Sequence, residues 1–178
     1  MKIKNRLFLL GAAMAVMSSS AFADTTGTQT FMANVTADTC TIANLQQAVD
    51  LGNVLKADYV GLNSWTAPAI APLVSVNFDV TGCGNNITKV NVTPTFTAES
   101  LGRFVKNSGT AVGMSIDTGK TTNIDYDEKR AWVSGKTRTF TLTNGAVQVP
   151  VIGVLSKGDK SVTAGTLDFQ MTFAFDFV

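Results

Sequence analysis

The chain has 178 residues, of which 45% are hydrophobic and only 15% charged, and its formal net charge is +1. A near-neutral chain without basic runs gives no support for nucleic-acid binding. It holds no histidine, which removes the usual general base, the Ser-His nucleophile pair and the commonest metal ligand.

In chain order, Lys2, Lys4 and Arg6 precede an apolar run from Leu7 to Met17, and Ala21-Phe22-Ala23 has a small-x-small form. This is the pattern of a secretory signal peptide over 1–23, with cleavage before Asp24. The apolar run is too short to span a bilayer. Cleavage removes three positive charges and no acid, so the exported chain becomes slightly acidic. In an exported protein the two cysteines, Cys40 and Cys83, read as one disulfide. A loop of roughly 43 residues gives such a bridge a stabilisation of roughly 4 kcal/mol in the chain-entropy model.

Short alternating segments follow one another. Thr28 to Ala37 places Phe31, Ala33 and Val35 on one face, and Thr41 to Val54 is a weaker stretch. Asp58 to Ala69, with Gly61, Asn63, Ser64 and Pro68, reads as a loop, and one short helical turn in a loop is compatible with the pattern. Val74, Val76, Phe78 and Val80 share the next face. Val90, Val92 and Phe96 follow, with Pro94 between them, which predicts an edge or a bulge because proline cannot donate to a ladder. Val112, Met114 and Ile116 alternate ahead of a turn at Asp117-Thr118-Gly119-Lys120. Phe140 and Leu142 share a face of the segment from Thr137 to Thr143. Asn144-Gly145 then signals a hairpin into Val147, Val149 and Val151. The last segment, Leu167 to Val178, has a large apolar residue at every second position: Leu167, Phe169, Met171, Phe173, Phe175 and Phe177. Side chains alternate across a strand, so this strand has one buried, aromatic face. No segment after the signal keeps a helical period. The sum is an all-β sandwich of about seven strands with Greek-key connections.

Other chemistry has weak signals. Asp125, Asp127 and Glu128 form the densest acidic group, which reads as a solvated loop before it reads as a calcium site. Three Asn-x-Thr triplets begin at Asn34, Asn86 and Asn91 and carry no further argument. Trp65 and Trp132 read as packing residues ahead of sugar platforms. Neither catalysis nor a cofactor or metal is expected.

Six features in order resemble the chaperone–usher pilins, the subunits of type 1-like bacterial fimbriae. The segment from Gly27 to Cys40 is a glycine-led alternating stretch before the first cysteine. Val49-Asp50-Leu51-Gly52-Asn53-Val54 is similar to a valine-x-leucine-glycine-x-valine run. The strand from Val76 to Val80 runs into Cys83. Val112-Gly113-Met114-Ser115-Ile116, Val149-Pro150-Val151, and Ala164-Gly165 before a closing strand with penultimate Phe177 complete the set. The chain departs from the family at Ala33, usually glycine, and at Phe177, usually tyrosine. Gly153 and Leu155 likewise stand where pilins more usually have alanine and tyrosine. These departures imply a divergent or minor member.

The resemblance implies an incomplete immunoglobulin-like β-sandwich that lacks its last strand and is completed by donor-strand exchange, with one disulfide, Cys40–Cys83. It divides the chain into a signal peptide (1–23), an N-terminal donor-strand extension (24–39) and a pilin domain (40–178). It implies that Gln29, Phe31, Ala33 and Val35 are the groove-filling side chains of the donor strand. The acceptor groove, also the chaperone-binding strand, is expected at Phe169, Met171, Phe173, Phe175, Phe177 and Val178. The implied partners are a periplasmic chaperone, an outer-membrane usher and neighbouring fimbrial subunits, with delivery through the periplasm to a cell-surface fimbrium that supports adhesion. A minor, adaptor or adhesive subunit is the alternative within the family. A self-contained secreted β-sandwich that binds a ligand, with Thr28 to Val35 as an ordinary first strand, is the alternative outside it.

Overall fold

The structure is a computed structural model that describes residues 25–35, 40–120, 127 and 129–178, with 25–27 and 33–35 defined by their backbone and register. Residues 1–23, expected from the sequence to be a signal peptide, and the acidic residues Asp125 and Glu128 lie outside the described residues.

Ten strands are described: β1 (Thr25–Val35), β2 (Thr41–Ala43), β3 (Gln46–Val54), β4 (Leu73–Thr81), β5 (Lys89–Thr95), β6 (Phe104–Lys106), β7 (Met114–Asp117), β8 (Arg138–Thr141), β9 (Val147–Lys157) and β10 (Leu167–Phe177). They form two five-stranded sheets, ordered β3-β1-β10-β5-β8 and β2-β4-β9-β7-β6. The inward faces meet in one core that draws on both sheets, including Val76, Phe78 and Val80 from β4, Val149 and Val151 from β9, and Phe169 to Phe175 from β10. Alternation dictates this layering: β4 buries Val74, Val76, Phe78 and Val80 and leaves Ser75 exposed between them.

The strand count exceeds the expected seven because weak segments divide. Thr41 to Val54 breaks at Asn44, whose φ of 62° turns the chain from one sheet to the other. Asparagine tolerates this left-handed conformation better than most residues. The loop after β3 carries a short 3-10 turn at Lys56–Asp58, and a second lies at Ser100–Gly102. Val112 stays 42% exposed and outside β7, so only Met114 and Ile116 of that predicted alternation reach the core. Asn144 and Gly145 form the expected two-residue turn, both with positive φ, closed by paired hydrogen bonds between Thr143 and Ala146. The strands it joins then diverge, β8 into one sheet and β9 into the other. A side chain at position 145 would strike the Cys83 carbonyl oxygen at 2.7 Å.

Pro94 shows how a proline enters a sheet interior. β5 lies between β10 and β8, but β8 pairs only with Lys89 to Val92. At Pro94 the strand is therefore locally an edge, and its carbonyl accepts a hydrogen bond from the Gly135 amide at 2.8 Å.

Candidate functional site

β1 fills a gap one strand wide. It pairs antiparallel with β3, from Thr25 opposite Val54 to Met32 opposite Gln46, with a bulge after Gly27. On its other side it pairs parallel with β10, from Gly27 opposite Leu167 to Val35 opposite Phe175. β3 and β10 do not pair with each other. Two strand spacings of about 4.8 Å place them roughly 10 Å apart. Lifting β1 out would leave a groove of that width, walled by two unpaired sheet edges.

The groove is apolar because β10 alternates. Leu167, Phe169, Met171, Phe173 and Phe175 are all buried to 3% exposure or less. Phe173 is the hub. Its ring lies 5.3 Å from Phe78, 5.2 Å from Trp132 and 6.3 Å from Phe31 of β1. Phe78 also meets Phe175 edge-on at 5.5 Å. Phe31 is fully buried, so the aromatic cluster is closed only when β1 is in place.

The structure brings most of the sequence-predicted residues to this groove. Gln29 and Phe31 are both fully buried on the inward face of β1. Ala33 and Val35 stand in register with Phe173 and Phe175. Phe169, Met171, Phe173 and Phe175 form the β10 wall. Phe177 lies beyond the β1 ladder, opposite Val90, and is partly buried against the core. Val178 is 51% exposed, so its side chain does not line the groove. Its carbonyl instead accepts hydrogen bonds from the Thr88 and Lys89 amides at 2.9 Å, which fastens the end of β10 to β5. Cys40 and Cys83 form a disulfide.

The remaining candidates have structural surroundings. Trp132 is fully buried, donates from its indole nitrogen to the Pro150 carbonyl at 3.2 Å, and carries the Arg138 guanidinium over its ring at 4.4 Å. Trp65 packs on Phe104 with ring centroids 4.5 Å apart. Asp127 pairs with Arg130 at 3.1 Å on the surface. Asn91 accepts a hydrogen bond from the Thr139 hydroxyl. Among the described residues, no group of three His, Cys, Asp or Glu side chains is placed to hold a metal ion.

One buried polar layer had no clear sequence signal. β7 reads Met114-Ser115-Ile116-Asp117, apolar and polar by turns, yet all four residues are buried. The outer face that carries Ser115 and Asp117 lies under the loop after β3, which is held by hydrogen bonds from the Trp65 amide to Lys157 and from the Lys157 amide to Thr66. Asp117 is balanced there by Arg103 at 3.0 Å and by the Gly119 amide. The length of the Asp58 to Ala69 loop, with a tryptophan inside it, was the only hint of a cover over this sheet.

The class the structure defines is a two-sheet β-sandwich closed by one disulfide, with β1 seated between two edges that do not otherwise meet. No family model matches the sequence. Protein FimG of Escherichia coli (strain K12) is 28% identical over 168 residues, covering 88% of this chain and 96% of that protein. The crystal structure of the P pilus rod subunit PapA superposes with a TM-score of 0.57 and 17% identity, over 79% of this chain and all of that one. The chain is thus similar in sequence to FimG and in its immunoglobulin-like fold to the pilus rod subunit PapA.

Proposed function

We propose that the chain is a structural subunit of a bacterial chaperone–usher fimbria that polymerises by donor-strand exchange and supports cell adhesion. The observation that carries this is the place of β1. It is the first described strand, it bridges two edges that are otherwise unpaired, and its inward face completes an aromatic cluster on β10. The same strand, donated by one subunit to the groove of the next, gives a head-to-tail contact without twofold closure, and its repetition gives a filament. Main-chain hydrogen bonds supply affinity and alternate side chains supply specificity, the strand-addition mode for which chaperone–pilin complementation is a standing example. An unfilled groove with two bare sheet edges invites aggregation, so a periplasmic chaperone covers it until an outer-membrane usher passes the subunit into the fibre. Export by the 1–23 signal peptide brings the chain to that route. The residues at work are Gln29, Phe31, Ala33 and Val35 on the donor and Phe169, Met171, Phe173 and Phe175 on the acceptor. Their task is assembly, without chemistry on a substrate.

A second reading has one observation in its favour. β1 closes the groove of its own chain, as the first strand of a self-contained secreted sandwich would. Expression of the exported chain in a periplasm with and without residues 24–36 separates the two. The assembly reading expects heat-resistant oligomers from the full chain and none from the truncated one. A full-length chain that stays a stable monomer without any chaperone would sink it.

A further inference from the structure

Gln29 is the one polar residue on the described inward face of β1, and it is fully buried. Neither its amide nitrogen nor its amide oxygen has a hydrogen-bond partner. Its register neighbours are Phe169 on β10 and Val49 on β3, and Leu167 and Met171 flank Phe169 on the same face of β10. Of these side chains only the Met171 thioether is even a weak acceptor, and the Gln29 amide makes no hydrogen bond to it. A buried, unsatisfied amide destabilises the state that buries it. The parallel ladder to β10 adds to this, because parallel pairing is slightly weaker per residue than antiparallel. Release of β1 breaks its two ladders and leaves the β4–β9, β7–β9 and β5–β10 ladders intact.

We propose that Gln29 is a built-in weak point. It keeps β1 exchangeable while β1 caps its own groove, so that a free subunit is closed against aggregation yet can surrender the groove to an incoming strand. This deepens the assembly reading above and rests on it. An apolar side chain of similar length at position 29 would turn the exchangeable cap into a locked one.

The test uses the exported chain and its Gln29→Met and Gln29→Leu variants, with two readouts. The first is amide hydrogen exchange over residues 27–31 and 169–175. The second is uptake of a labelled synthetic peptide that spans residues 25–36 and carries methionine at position 29. The wild-type chain is expected to take up the peptide. Both variants should take it up about tenfold more slowly and show about tenfold greater protection, the effect of relieving a single unsatisfied buried amide. Equal uptake and equal protection in all three proteins would overturn the role of Gln29 and leave donor-strand exchange standing. A wild-type chain that takes up no peptide, with β1 protected as strongly as β4 and β9, would overturn both.

Discussion

Replacing Phe31 by alanine tests whether β1 is a separable cap or an integral strand. The ring is fully buried and packs 6.3 Å from Phe173 at the centre of the aromatic cluster. Phenylalanine-to-alanine changes at such sites cost about 3–5 kcal/mol, the sum of lost transfer energy and the cavity left behind. That lowers the occupancy of the docked strand by a factor of about a hundred to a few thousand. The loss is capped by the free energy of docking itself, because once β1 leaves, the mutation has no further effect on what remains. Hydrogen exchange resolved by segment is the assay. Protection should collapse over residues 27–31 and 167–175, while the β4–β9 ladder, which β1 does not touch in register, keeps its protection. If β4 and β9 lose protection as much as β1 does, the strand unfolds with the whole domain and the separable-cap argument is wrong. If no segment changes, Phe31 is not buried as described.

Replacing Cys40 and Cys83 together by serine should lower unfolding stability by about 4 kcal/mol for the 43-residue separation, read as a shift in denaturant midpoint. Tyr59 is buried to 1% exposure with an unpartnered hydroxyl, and burial, then the neighbouring Asp58 charge, raises its pKa. Tyr59→Phe should therefore leave the melting temperature unchanged or raise it, and a marked fall would reveal a hydrogen bond to the hydroxyl. The Glu99 carboxyl is held above its ordinary value of 4.5, first by burial and then by Asp159, against the opposing pull of Lys106 and Lys160. The folded chain thus binds this proton more tightly than the unfolded chain. Its contribution is fully present below the unfolded value and is lost as pH rises through the folded one. Glu99→Gln should raise the melting temperature at pH 7 and make no difference below about pH 4.5, as followed by thermal melts across that range.

What the residues disclosed beforehand depended on whether one face or two were buried. β4 and β10 alternate cleanly because each has one face in the core, and their period-two pattern named the buried side chains in advance. β6 gave no such signal. Phe104 and Val105 are adjacent and both buried, one toward the core and one under Trp65. β7 misled in the opposite sense, since Ser115 and Asp117 look like a solvent face and lie under a loop. Pattern also says that β1 buries Phe31 without saying against which molecule. The sequence is the same for a strand that folds back and for one that reaches across. The orphaned amide of Gln29 becomes visible only when the neighbours on β3 and β10 are known.

The disulfide has a mechanical consequence. Cys40 follows β1 closely and is bonded to Cys83, just past the end of β4. A pull transmitted along residues 25–35 therefore arrives at a covalent junction before it reaches β2. Tension cannot unspool β2, β3 and β4 from the N-terminal side, because the chain between the two sulfurs is a closed loop that stays slack. In the proposed fibre, the ladders around a donated β1 would be loaded along its axis and resist together, while the cross-link at its root would keep the body that supplies the strand from being drawn out after it.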